Sequence, residues 1–400
     1  LLWGTIIISM ILSLMVFYVL YNANNKYMTR EEKAIHGILY ADGSYDSLPV
    51  YYLSREWEYY PDVLLTPGDD LEKYYFRYLS IGEYGGMELD ARNGKPYGSG
   101  TYRLRIMLPS EEHTYGLYLP EIFSAYNLYV DGKLIEQVGN PDPDHYEERI
   151  QHRMFTFKGH TSVEIMIAVT DKDSASPGIQ YVPAFGNPLK VNTVRGIPVF
   201  LNSSVFTLVL LVLLFSVWAF FRTRSRANAL FAGVCVCVLG YTCYPLLHTY
   251  LALRVQPWFS LEMLFYYLTF PAMLLLEHEI TGRKYKWVWW LVGFTAAAGI
   301  GATVAGIFAG GMETAALSYG VSAVTEVLKW FTAICLVVIA FFYTEGTRGL
   351  PLLAGTVLYA SSLAADRIWP LYDPIIGGWF PEWGGTILAG VFGVILWREL

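Results

Sequence analysis

The stretch Pro198–Arg226 reads PVFLNSSVFTLVLLVLLFSVWAFFRTRSR. It runs to Phe221 without a charge and then closes on Arg222, Arg224 and Arg226. A hydrocarbon core of ~30 Å demands a helix of this length. Only helices or closed barrels satisfy every backbone polar group there, and this run is too long and continuous for a barrel strand. It predicts a membrane span whose basic end faces the cytoplasm.

Outward from it, similar runs are expected at about 227–250, 259–281, 287–309, 319–343, 350–366 and 384–398. Together they make a bundle of seven spans over residues 198–400. The chain also opens on an apolar helix, Leu1–Tyr21. A hydrophobic fraction of 54% and a mean hydropathy of +0.35 fit a membrane protein of 400 residues. If the loops alternate sides, one set carries eight basic residues, from Arg222–Arg226, Arg283–Lys286, Arg348 and Arg398, and the other carries Arg254 and Arg367. Positive charge marks the cytoplasmic side. The C-terminus is therefore expected inside, the polar segment outside, and the first helix entering from inside. That helix reads as a retained signal anchor; a cleaved signal peptide is the alternative. Trp258, Trp287, Trp289, Trp290, Trp369, Trp379 and Trp397 fall near span ends, where aromatic belts form.

Between anchor and bundle, Asn22–Ile197 holds 17 basic and 25 acidic residues, a net of −8, which speaks against nucleic acid as a partner. All four cysteines (Cys235, Cys237, Cys243, Cys335) lie in apolar runs, so no disulfide supports the polar segment. Residues 22–50 read as a linker and 51–194 as a β domain. Tyr102, Leu104, Ile106 and Leu108 share one face of a strand, with Arg103 and Arg105 on the other; Val163, Ile165, Ile167 and Val169 repeat the pattern. Asp131-Gly132 between Tyr126–Val130 and Lys133–Glu136 is a hairpin signal. Short strands with turns between them predict an all-β sandwich or jelly roll.

Leu53-Ser-Arg-Glu-Trp57, Gly100-Thr-Tyr102-Arg-Leu104, Leu117-Tyr-Leu-Pro120 running to Asp131-Gly132, and Gly178–Gly186 together resemble a galactose-binding-like jelly roll. Placed directly before seven spans, it is similar to the bacterial seven-transmembrane receptors with diverse intracellular signalling modules. The resemblance implies a multi-pass protein of the bacterial plasma membrane with the jelly roll outside and both termini cytoplasmic. It also implies an extracellular ligand, a glycan or cell-wall fragment by analogy, and an output such as a histidine kinase or nucleotide cyclase. The chain lacks a starting Met and stops at Leu400, just after a span, so both ends read as cut and the output is expected in cis beyond Leu400 or in trans.

Candidate ligand-binding residues are Tyr59, Tyr60, Tyr126, Tyr129 and Tyr181, because aromatic faces stack on sugar rings; core packing is the competing role for each. Trp57 and Tyr102 read as core. Asp142 and Asp144, beside His145, Glu147 and Glu148, offer oxygen ligands to a calcium-like ion, with a solvated acidic loop as the alternative. Charges at membrane depth are costly unless paired, so Glu326 and Lys329, three apart on one helix face, and Asp366 and Arg367 are candidates for a polar switch. Small residues at Gly293, Ala297, Gly301, Ala305 and Ala309, and at Ala298, Ala302, Gly306 and Gly310, predict a closely packed fourth span or a homodimer contact; Gly385, Ala389 and Gly393 repeat the motif. The loop Arg367–Gly385, rich in Trp and Pro, is expected to dock on the jelly roll or to lie in the headgroup layer. Common nucleotide, hydrolase and metalloprotease motifs are missing, so no cofactor is expected and the chain reads as non-enzymatic. A sensor is the first reading; a transporter or membrane subunit of a complex, and a non-signalling assembly or adhesion protein, are the others.

Overall fold

The computed structural model describes residues 2–82, 98–109, 111–172, 177–282, 285–309, 315–343 and 349–398. Gly310, Arg283, Lys284 and Arg348 lie outside the described residues. Among the described residues the order is one helix, α1 (Leu2–Ala23), then eleven short strands, then seven helices.

The strands are β1 (Ile38–Tyr40), β2 (Tyr51–Tyr52), β3 (Trp57–Pro61), β4 (Arg77–Leu79), β5 (Gly98–Met107), β6 (His113–Leu119), β7 (Ala125–Val130), β8 (Lys133–Val138), β9 (Arg153–Gly159), β10 (Ser162–Asp171) and β11 (Ala184–Gly186). One sheet has the order β4-β3-β5-β10-β7-β8, with β1 added parallel to β5; the other has the order β2-β11-β6-β9. Apart from β1 the pairings are antiparallel. The sheets face each other across one apolar core. Tyr102, Leu104, Ile106, Val163, Ile165, Ile167 and Val169 enter it from the first sheet, and Tyr115, Leu117 and Phe185 from the second. Period-two side chains put Arg103 on the outer face, where it bridges neighbouring strands through Glu58 (2.7 Å) and Glu164. The β7–β8 turn places Asp131 and Gly132 both at positive φ (47° and 75°), the backbone that Asp-Gly favours in a tight hairpin.

Two boundaries differ from expectation. The segment read as a linker contributes β1, and Leu39 and Leu48 are fully buried in the sandwich core. Charged and polar neighbours hide three residues of strand there. The return to the helices has no linker either: Asn187 accepts a hydrogen bond from Leu189 N (3.0 Å) and caps α2 (Pro188–Thr223) immediately after β11. Pro188 stands where the first helical turn needs no amide donor.

The remaining helices are α3 (Arg226–His248), α4 (Trp258–Thr281), α5 (Lys286–Ala309), α6 (Ala315–Tyr343), α7 (Gly349–Ile368) and α8 (Phe380–Trp397). Seven helices among the described residues are long and apolar enough to cross a membrane: α1 to α6 and α8. The expected span at 350–366 does form as α7, but it falls short on hydropathy. The physical reason is enclosure. α7 packs against α1, α6 and α8 and buries Thr356, Ser361 and Ser362 with its apolar residues. A helix walled off from lipid need not be apolar all round. The first helix lies along the flank of the bundle against α7, with Phe17 buried against Phe380 at 5.3 Å and most of its other side chains exposed, instead of standing apart as a lone anchor.

The small-residue expectation is met only in part: the closest approach on α5 is made by Gly299, which belongs to neither expected row, and a Cβ added at Gly306 of the second row would meet nothing within 4 Å. Gly299 meets Tyr267 of α4 so closely that a Cβ there would lie 2.6 Å from the tyrosine Cβ, and Ala302 is buried beside it. A Cβ added at Gly293 or Gly301 would meet nothing within 4 Å, and both glycines face outward. In α8, Gly384 abuts Ser362 and Tyr359 of α7, and Gly393 abuts Phe231 of α3.

Candidate functional site at the sandwich–bundle junction

Three connections meet the sandwich at the same end of the bundle. The residues after α1 pair with the α7–α8 loop: Asn25 Nδ2 donates to Leu371 O (2.8 Å), and Asn24 Nδ2 donates to Ile376 O (2.7 Å). The α3–α4 loop pairs with the sandwich, Ile150 exchanging backbone hydrogen bonds with Leu253. The α7–α8 loop docks on the sandwich as well. Its Asp373 binds Lys26 Nζ through Oδ1 (2.8 Å) and accepts from Val182 N through Oδ2 (2.9 Å), with both side chains of the ion pair about nine-tenths buried. Ile375 packs against the sandwich core. Of the two alternatives for this loop, docking is the one observed.

A cavity of about 200 Å³ opens along this seam, lined by Tyr27, Phe123, Tyr181, Leu371, Tyr372 and Trp379 among others. Of the tyrosines proposed for ligand binding, Tyr181 lines it, with Trp379 at 6.2 Å ring to ring. The others lie elsewhere. Tyr59 and Tyr126 are buried in the main core, Tyr60 packs with Leu65 and Met166, and Tyr129 lies against that cluster. Tyr59, Tyr60 and Tyr126 are buried and so placed as packing residues, whereas Tyr129 is only partly buried. Trp57 and Tyr102 are core, as expected. Asp142 takes a hydrogen bond from Asp144 N (3.1 Å) and pairs with His145 Nδ1 (2.8 Å) on an exposed loop, so part of its oxygen valence is already used by the chain.

The intramembrane charges form a bridge. Glu326 of α6 holds Lys329 at 2.8 Å and Arg367 of α7 at 2.9 Å, tying the two helices together near the junction end. Asp366 lies beside it, half-buried, near enough to Lys329 to act on it electrostatically. The expected local pair is thus an inter-helix link.

Sequence reading missed a second grouping. Glu121 in the β6–β7 loop, His152 just before β9 and His248 at the end of α3 bring one ligand atom each within 4.8 Å of one another. His248 Nε2 lies 3.3 Å from Glu121 Oε2, and His152 Nε2 lies 3.8 Å from Glu121 Oε1. The imidazoles stack at 5.4 Å. Tyr118 Oη contacts His152 Nδ1 at 2.7 Å and fixes that ring. Burial, with the positive charge of Arg195 and Lys26 nearby, holds His152 down to about 4, so it is neutral at physiological pH. Burial and the Glu382 carboxylate push Glu121 up to about 7, against the opposing pull of Lys26. Residues 121, 152 and 248 follow no short spacing, so only the fold assembles them.

No protein-family model and no curated protein matches the chain. Solved structures similar to it include glycoside hydrolases. A GH2 β-galacturonidase from Eisenbergiella tayi bound to galacturonate is 11% identical, with 35% of this chain and 24% of that chain covered and a TM-score of 0.25. A β-glucuronidase from Faecalibacterium prausnitzii is 10% identical, with coverages of 35% and 31% and a TM-score of 0.25. A β-glucosidase from Kluyveromyces marxianus in complex with glucose is 10% identical, with coverages of 43% and 21% and a TM-score of 0.22. This chain spans less than a third of the length of each.

Proposed function

We propose that the chain is a transmembrane sensor of the seven-transmembrane receptor type, with a galactose-binding-like jelly roll outside a bacterial plasma membrane. A ligand, a glycan or cell-wall fragment by analogy, binds the outer domain. The bundle then relays the change to a cytoplasmic output module in cis or in trans, and any catalysis belongs to that module.

The observation that carries this reading is α2. Its first turns belong to the sandwich: Val191 is fully buried in the sandwich core, and Lys190 Nζ donates to Leu48 O (2.6 Å). The same helix continues through the bundle to Arg222. At 1.5 Å per residue its 36 residues span at most about 54 Å, with Pro198 inside the helix between the sandwich turns and the membrane-length part, so a shift of the sandwich is passed through that proline to a helix reaching the far end of the bundle. Ligand binding biases such an equilibrium only by its differential affinity for the two arrangements. Turning a mostly-off population mostly on takes about 5.5 kcal/mol of preference.

The test is a glycan array probed with the full chain in nanodiscs, followed by hydrogen exchange on the complex with any hit. The reading expects protection around Tyr181 and Trp379 together with altered exchange near Arg222. Protection confined to the sandwich, or solute flux in proteoliposomes, would favour the adhesion or the transporter reading instead.

A further inference from the structure

We propose that Glu121, His152 and His248 bind one divalent transition-metal ion of the zinc class, fastening the sandwich to α3. This inference does not depend on the receptor reading.

The donor set is two imidazoles and a carboxylate, a combination suited to zinc-class ions. For bonds of about 2.05 Å, a tetrahedral ion holds its ligand atoms about 3.3 Å apart. The His248 Nε2–Glu121 Oε2 separation is 3.3 Å and the His152 Nε2–Glu121 Oε1 separation is 3.8 Å, while the three ligand atoms lie within 4.8 Å of one another, so binding draws the group together and turns one of the two nearly parallel imidazoles toward the ion. Tyr118 Oη sits on the far nitrogen of His152. If Nδ1 donates to it, the Nε2 lone pair faces Glu121, and an outer partner of this kind typically orients a metal-binding histidine.

The second observation is His248 itself. Its side chain is 1% exposed, and it delivers Nε2 into the grouping while Nδ1 finds no hydrogen-bond partner among the described residues. The ring is held by packing on His152 and edge-on against Tyr244 at 4.8 Å, so its polar contact at Nε2 is the 3.3 Å one to Glu121, which a metal bond at that nitrogen would replace with a stronger interaction, while Nδ1 keeps its present surroundings. Glu382 and Asp373 act electrostatically on Glu121 and add negative potential, offset in part by Lys26 and Arg195. Glu121 keeps 22% of its side chain exposed, so the grouping reaches the surface at this residue. The three ligands come from the sandwich and from α3, so occupancy favours their docked arrangement.

The experiment uses the full chain in nanodiscs, with any affinity tag removed, and the metal ions Zn²⁺ and Co²⁺ as probes. One equivalent of Zn²⁺ should survive dialysis against a weak competing chelator and raise the apparent melting temperature. Co²⁺ should give the intense visible d–d bands of a four-coordinate site. His152→Gln and His248→Gln should each weaken Zn²⁺ binding by about tenfold or more, and His145→Gln on the acidic loop should leave it unchanged. Wild-type protein that retains no metal and shows no cobalt spectrum overturns the proposal whatever the variants do. Retention unchanged in folded His152→Gln and His248→Gln proteins overturns it as well.

Discussion

Lys26 and Asp373 are 347 residues apart, and their contact joins the exit of α1 to the α7–α8 loop and, through Val182, to the sandwich. Removing one partner leaves the other charge buried, which costs about 3–5 kcal/mol. Asp373→Leu should therefore destabilise the protein by that order, read as the shift of the denaturant midpoint in detergent, and Lys26→Met/Asp373→Leu should recover much of the loss. Single variants as stable as wild type would show the pair to be dispensable. Lys33 supplies a pH test. Burial lowers it to about 8 from its ordinary 10.5, while its ammonium donates to Thr29 Oγ1 (2.6 Å). Between pH 8 and 10 the unfolded chain holds this proton more often than the folded one, so stability rises with pH across that window and is lost as pH falls through 8. Lys33→Met should flatten the rise in melting temperature between pH 8 and 10, and an unchanged slope would place its cause elsewhere.

At the scale of elements, the α4–α5 contact makes a sharp comparison. Gly299→Ala puts a methyl 2.6 Å from Tyr267 Cβ, so the helices must part, whereas Gly293→Ala meets nothing within 4 Å and gains helix propensity of about 1 kcal/mol. Thermal unfolding should fall for the first and hold or rise for the second, and equal effects would contradict the packing. Elements were legible where one physical rule acted alone. Alternation at Tyr102–Ile106 and Val163–Val169, the Asp131-Gly132 turn and the long apolar runs all reported local constraints. The sequence was opaque where tertiary enclosure overrode composition. α7 carries buried Thr356, Ser361 and Ser362 among its apolar residues because its neighbours enclose it, β1 is short and flanked by charge, and α2 begins at Pro188 because a cap from Asn187 precedes it. The tyrosines were ambiguous for the same reason, since a strand ring that stacks on a sugar and one that fills a core look alike in sequence. The Glu121, His152 and His248 grouping had no sequence signal because its members arrive from two loops and a helix end.

For the whole molecule, the sandwich is fastened to the bundle by α2, by the α1 exit, and by the α3–α4 and α7–α8 loops, so it is not a module on a flexible tether. That fastening lends mechanical sense to the sensor reading, and its direction rests on which side of the membrane the sandwich occupies. The most direct measurement is side-specific labelling. In a background with Cys235, Cys237, Cys243 and Cys335 replaced by Ala, a single cysteine is placed either at exposed Lys158 of the sandwich or at exposed Arg224 between α2 and α3. With a membrane-impermeant maleimide on intact cells, the account predicts that Lys158→Cys is labelled and that Arg224→Cys is protected until the membrane is opened. Labelling of Arg224→Cys with protection of Lys158→Cys would contradict it.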